Sequence, residues 1–208
     1  MSMIDKLFAA MTPAESEQER GEARRKAAAA TYPGDWLAMV LDHHAQIEEA
    51  FAAVKAAEDP ASRLAAHKRL AVMLIGHSDA EESVLYPALA RADEKGHAAA
   101  AYAQQADTKM EMAELETLPP MSRSYMDALE HIRVIVAHHM YEEESSWFLE
   151  LKQKTMAADQ AKLSRRYQEE FDRYVGMDAD FEWAYREIET SNHAVATPRQ
   201  RRELISVS

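Results

Sequence analysis

Two histidine–glutamate pairs, His77 with Glu81 and His139 with Glu143, each stand four residues apart. On an α-helix, residues i and i+4 project from one face one turn apart, so each pair can grip one ion between an imidazole nitrogen and a carboxylate oxygen. The surroundings of the two pairs repeat. His77-Ser78-Asp79-Ala80-Glu81-Glu82-Ser83-Val84-Leu85-Tyr86 and His139-Met140-Tyr141-Glu142-Glu143-Glu144-Ser145-Ser146-Trp147-Phe148 share the histidine, both glutamates, a serine, a large apolar residue and an aromatic. Extended backwards, the repeat reaches His44, 33 residues before His77, and Gln105, 34 before His139. His44-Ala45-Gln46-Ile47 lines up with Gln105-Ala106-Asp107-Thr108. Two hairpins related by a pseudo-twofold axis bring these side chains to one buried point. Such oxygen and nitrogen donors suit iron, manganese or zinc. Carboxylates able to bridge, facing imidazoles, favour a dinuclear iron centre over a closed tetrahedral zinc.

Other residues near the pairs divide by their angular position. His43 and His138 are turned about 100° from their neighbours on a helix, which suits roles behind the ligands or on the surface. His131 lies two turns from His138 and is expected outside the site. His97 precedes Gln105 by roughly 12 Å of helical rise, too far to replace it. Tyr86 and Phe148 occupy equivalent repeat positions and are expected to cap the bundle end, with Tyr86 in hydrogen-bonding reach of the site. Glu48, one turn after His44, is either a compensating carboxylate or a solvated helix-face residue. The run Glu142-Glu143-Glu144 reads as a solvated face with one member turned inward. Lys109 cannot ligate while protonated and is expected to pair with a carboxylate. Met73, Met110, Met112, Met126 and Met140 read as adaptable core filler.

Helices must position these groups. The chain has 208 residues, with five glycines and seven prolines, and no segment sustains the polar–apolar alternation of a strand. Apolar stripes at helical spacing recur instead. One runs through Trp36, Val40, Ile47, Phe51 and Val54 and ends at Asp59-Pro60. The next carries Leu70, Met73, Leu74, Val84, Leu85 and Ala88. Residues 97–117 carry Tyr102, Met112 and Leu115 and stop at Pro119-Pro120. The last runs from Ser122 to Lys154 through Leu129, Ile132, Val136, Met140, Trp147 and Leu151. The spacing predicts an all-α fold: an up-down four-helix bundle over 35–154, with additional N- and C-terminal helices. Residues 1–34 are expected to be a helical extension, with a short amphipathic helix at Met3, Leu7 and Met11. Residues 155–208 are expected to form a second extension, with Phe171, Phe181, Trp183 and Tyr185 at loosely helical spacing. That extension breaks near Gly176 and leads into a loose tail. Its aromatic load predicts packing on the bundle or on a second copy of the chain.

Charge and composition limit the partners. A formal charge of −12 repels phosphate backbones, so nucleic acid is not expected. The absence of cysteine removes disulfides, thiolate metal sites, Fe–S clusters and cysteine nucleophiles. No apolar run is long enough to span a membrane. Asp5 and Lys6 interrupt the first apolar stretch, which lacks a secretory layout. A cytoplasmic location is expected.

The motifs Leu41-Asp42-His43-His44-Ala45-Gln46-Ile47, His77 to Glu82 with Leu85-Tyr86-Pro87, and His139 with Glu142-Glu143-Glu144 resemble the hemerythrin-like HHE cation-binding domain family. The resemblance covers roughly 35–152. It implies a four-helix bundle holding a non-haem di-iron centre, usually oxo- or hydroxo-bridged. It also implies binding of dioxygen, or responses to oxygen, nitric oxide, iron or oxidative stress. Carried over, the metal ligands are His44, His77, Glu81, His139 and Glu143. The family usually supplies a further histidine from the third helix, where this chain has Gln105. That departure leaves three arrangements open: a position filled by water, a second metal held more loosely, or a single metal. The resemblance therefore points to a di-iron protein binding dioxygen or another small diatomic or peroxide ligand, in sensing or handling of oxygen, iron or oxidative stress. No catalytic residue is assigned; an enzymatic version would be a di-iron oxidase or act on peroxide. The alternative is a regulatory or interaction bundle with one iron, manganese or zinc, or with the metal lost. A ferritin-like oxidase fits poorly, because Glu-x-x-His occurs only at Glu94–His97, beside Gly96.

Overall fold

A computed structural model describes residues 15–193, with side chains described through residue 175. The described regular structure is helical throughout. Helix α1 spans Glu17–Ala28 and α2 spans Trp36–Ala56. Helix α3 is built from Pro60–Ala80, a π turn at Glu81–Leu85 and Tyr86–Arg91. Helix α4 is Lys95–Glu116. Helix α5 joins Arg123–Glu142, a π turn at Glu143–Trp147 and Phe148–Lys154. Helix α6 is Ala157–His193.

Local chemistry sets the helix starts. Ser16 and Glu19 form a capping box at α1. Asp59 accepts from the backbone N–H groups of Ala61 and Ser62, with Pro60 at the first turn of α3. The Ser122 hydroxyl accepts from the N–H of Tyr125 and opens α5 after Pro119-Pro120.

Helices α2 to α5 are the four-helix bundle that the stripes predict. Its interior has two apolar clusters. Trp36, Leu85, Leu89, Phe148 and Leu151 fill one end. Ile47, Leu70, Leu115, Leu129 and Ile132 fill the other. The polar constellation lies between them. Two residues expected inside, Tyr102 on its stripe and Met110 as core filler, lie at the surface. Tyr102 is 40% exposed and its hydroxyl donates to the Glu82 carbonyl, while Met110 is 60% exposed.

The terminal helices complete the walls. Helix α1 packs against α2 and the π turn of α5, and α6 packs against α3 and α2. The Ser164 hydroxyl accepts from the Trp36 N–H and joins α6 to the start of α2. Gly76 permits the close approach of α6, since a Cβ there would come within 3.1 Å of Val175 and 3.3 Å of Tyr174. Helix α6 continues through Gly176 rather than breaking there. A helical hydrogen-bond ladder tolerates one glycine at a modest propensity cost. The expected helix at Met3–Met11 and the tail after His193 lie outside the described residues. The side chains of Phe181, Trp183 and Tyr185 lie outside those described.

Candidate metal centre

Each half of the repeat places its histidine at the end of an α-helical segment and its glutamate at the first residue of a π turn. The Tyr86 N–H donates to the Glu81 carbonyl, and the Phe148 N–H to that of Glu143, the five-residue spacing of a π turn. In a straight α-helix, position 86 would be rotated about 140° from position 81. The wider turn brings Tyr86 back beside Glu81. π turns inside α-helices recur at functional sites for this reason.

His44, His77, Glu81 and Glu143 are all buried and can offer ligand atoms within 4.8 Å of one another. The His77 Nε2 lies 3.3 Å from Glu81 Oε2, and the His44 Nε2 lies 3.4 Å from Glu143 Oε2. His139 joins from the other side, its Nε2 3.4 Å from Glu143 Oε1 and 3.1 Å from the Tyr86 hydroxyl. The Tyr86 oxygen stands among all of these, 3.0 Å from Glu81 Oε2 and 2.9 Å from Glu143 Oε1. Gln105 Nε2 donates to Glu81 Oε2 at 2.7 Å and to the Tyr86 oxygen. Tyr86 is therefore at the centre of the constellation and not only at the bundle end.

All three imidazoles are held from behind. The Nδ1 of His44 meets Glu144 Oε1 at 2.8 Å, that of His77 meets the Tyr167 hydroxyl at 3.0 Å, and that of His139 meets Gln104 Oε1 at 2.6 Å. In the neutral tautomer a metal would bind, with the proton on Nδ1 and donated outward, each Nε2 lone pair would face the centre. This is the arrangement by which proteins orient metal-binding histidines. Tyr167 in turn donates to the Nδ1 of His43 at 2.8 Å. His43 is thus buried behind His77, stacked on Phe171, whose ring centroid lies 3.8 Å away.

Electrostatics follow from burial and pairing. Burial alone would depress the His44 imidazole, but the two adjacent carboxylates of Glu143 and Glu144 outweigh it and raise its pKa to about 8. Burial, with the charge of His44 nearby, holds His77 well below the ordinary histidine value. Burial and the neighbouring Glu143 charge push Glu81 well above the usual carboxylate range. Burial and the two carboxylates hold Tyr86 well above the ordinary phenol, so it is a neutral donor.

Five buried polar atoms here have no hydrogen-bond partner: Nε2 of His44, Nε2 of His77, Oε1 of Glu81, Oε2 of Glu143 and Oε1 of Gln105. Leaving one such atom unsatisfied costs about 1–3 kcal/mol. Gathered in one buried space, they favour a shared partner, and their two imidazole nitrogens and three oxygens are the donor set of a first-row metal ion. The residues fit a metal.

Glu48 and His138, each left with two roles by the sequence, take the outer one, and one expectation, that a single member of Glu142–Glu144 turns inward, is corrected. Glu48 is half-exposed and paired with Arg24 at 2.8 Å, so the guanidinium holds it away from the ligands. His138 lies on the outer face of α5, its Nδ1 2.9 Å from Glu15, and contacts none of the inward groups. Glu143 and Glu144 are both buried, because α1 covers the second, where only one of the three glutamates was expected inside. Tyr167, Glu144 and Gln104 were missed as positioning groups. As expected, Lys109 pairs with Asp79 and Glu82. His97 stands with Glu94 and Glu150 at the bundle end, where Lys154 already pairs with Glu94.

Searches of curated proteins and of solved structures each returned no match. Residues 35–151, more than half of the chain and including every inward-facing ligand candidate, match the family model described as Hemerythrin HHE cation binding domain, and the chain belongs to that family.

Proposed function

We propose that the chain is a non-haem iron protein that holds two iron ions and binds dioxygen or another small diatomic or peroxide ligand. The observation that carries this reading is the convergence of three imidazole Nε2 atoms and two carboxylates on one buried space, each imidazole fixed from behind. His44, His77, Glu81, His139 and Glu143 would hold the metal. Iron bound there would supply reversible one-electron chemistry and a position open to an exogenous ligand. Tyr86 is placed to donate its proton toward a group in that space, and Gln105 turns an unpartnered amide oxygen into the quadrant where the repeat calls for a ligand. Ile47, Leu74, Val136 and Met140 put hydrocarbon beside the site. With a neutral amide in place of an imidazole, sensing or handling of oxygen, iron or oxidative stress suits this chain better than reversible carriage.

One observation favours a second reading. Four ligand residues gather within 4.8 Å, while Tyr86 and Gln105 stand between that group and His139. A single ion on His44, His77, Glu81 and Glu143 is the mononuclear alternative. The deciding experiment is metal stoichiometry on protein expressed with iron and purified without a chelating tag, with its absorption spectrum in air. Two irons per chain with ligand-to-metal charge-transfer bands support the dinuclear reading. One iron supports the alternative, and none overturns both.

A further inference from the structure

A cavity of about 380 Å³ lies between α1 and the groove formed by α2 and α5. Arg20, Gly21 and Arg24 form its outer wall, and Phe51, Val136 and Met140 its floor. Beyond that floor, a second cavity of about 10 Å³ touches His77, Gln105 and His139. That is about the space one water molecule needs. Val136 and Met140 line both cavities, so one layer of apolar side chains separates the outer space from the metal-binding groups.

The two walls differ in kind. Val136 and Met140 are buried. Methionine is unbranched, with three rotatable bonds, and yields to a small guest more readily than a branched side chain. The outer wall is lightly attached, since α1 buries only Ala23 and Ala27. Arg24 supplies its polar attachment to the bundle, binding Glu48 at 2.8 Å and Glu144 at 2.9 Å. Helix α1 lies outside the residues that match the family model.

We propose that the cavity under α1 is the entrance through which a small uncharged diatomic molecule reaches the centre, with Val136 and Met140 as its inner gate and Arg24 as its outer closure. Glu17, Arg20, Arg24, Glu48 and Arg133 line the outer part of the cavity, and it is the inner layer of Val136 and Met140 that selects against ions, which would shed water there without gaining a partner. This inference rests on reading the centre as a small-ligand site, and adds the route to it.

The test uses metal-free full-length protein under several pressures of dioxygen. Dissolved dioxygen is paramagnetic and speeds the relaxation of methyl protons it approaches. The Met140 and Val136 methyls should relax several-fold faster than those of Leu70 and Leu115, which are buried at the far end. Gly21→Phe plugs the cavity from α1, where a Cβ meets nothing closer than the Arg25 guanidinium at 3.4 Å. Ala137→Leu plugs it from the floor. Either plug should return Met140 to the level of Leu115, while Gly21→Ala, which leaves the space open, should not. Equal relaxation of Met140 and Leu115 in the wild type, or an enhancement that survives both plugs, overturns the route. No metal is present in this measurement, so its failure leaves the reading of the centre to the stoichiometry experiment.

Discussion

The hydroxyl of Tyr167 lies 3.0 Å from Nδ1 of His77, so a side chain of the C-terminal helix fixes the tautomer of an imidazole on α3. The same oxygen reaches Nδ1 of His43 at 2.8 Å. Accepting from His77 and donating to His43 uses its one proton and leaves the His77 Nε2 lone pair facing inward.

Tyr167→Phe keeps the ring in the core and removes only that hydroxyl. Loss of such an outer partner typically weakens metal binding by about 10- to 100-fold. The metal-free fold should lose about 1–3 kcal/mol, because the buried Nδ1 atoms of His77 and His43 both lose their partner. Competition titration against a chelator, beside denaturant unfolding without metal, checks both. Wild-type metal affinity in the variant would remove Tyr167 from the positioning shell.

Arg24 makes two ion pairs of unequal worth. Its partner Glu144 is 2% exposed and also holds His44, whereas Glu48 is 46% exposed. Exposed pairs contribute roughly 0–1 kcal/mol, while an unpaired buried charge costs more. In double-mutant cycles, Arg24→Leu with Glu144→Gln should therefore couple by about 1–3 kcal/mol, and Arg24→Leu with Glu48→Gln by roughly 0.5 kcal/mol or less. Unfolding free energies of the six proteins decide it. Equal couplings would mean that Arg24 only decorates the surface.

The two HxxxE pairs were legible because helical period alone places i and i+4 on one face, whatever packs against it. The repeat then carried the register to His44 and Gln105. Tyr86 was only half legible. Its inward position depends on the π turn at Glu81–Leu85, which no side-chain periodicity announces. Glu144 sits one residue from a ligand candidate, and on a bare four-helix bundle that position faces solvent. It becomes interior because α1 covers it and Arg24 neutralises it. Tyr167 is 90 residues from His77, on a helix whose aromatic spacing signalled packing without naming a partner.

Tyr86→Phe should separate metal-free from metal-loaded stability. Without metal, the hydroxyl is the donor that reaches Glu143 Oε1 and one of two that reach Glu81 Oε2. Its single proton serves one of these oxygens at a time, so deleting it leaves one buried carboxylate oxygen short of a donor, a cost of about 1–3 kcal/mol. A bound cation compensates the same oxygens, so the loss should shrink once the site is filled. Thermal unfolding with and without iron gives the comparison. An equal loss in both forms would place Tyr86 in packing alone.

His67 provides a pH test away from the centre. Its Nδ1 meets the Tyr125 hydroxyl at 2.7 Å inside the far end of the bundle. Burial lowers its pKa below the ordinary imidazole value of 6.5, more than the Glu116 charge raises it. The folded state therefore prefers the neutral ring. Below pH 6.5, unfolded chains take up the proton more readily than folded ones, so stability falls as the pH drops from 6.5 toward the lowered folded value. His43, His77 and His139 are also depressed and tilt the curve the same way, whereas the raised His44 and Glu81 tilt it the other way. His67→Gln keeps a partner for Tyr125 but cannot titrate. Its metal-free unfolding free energy should fall less steeply between pH 7.5 and 5.5 than that of the wild type, by the share His67 contributes. Parallel curves for the two proteins would show that His67 carries the same proton affinity folded and unfolded.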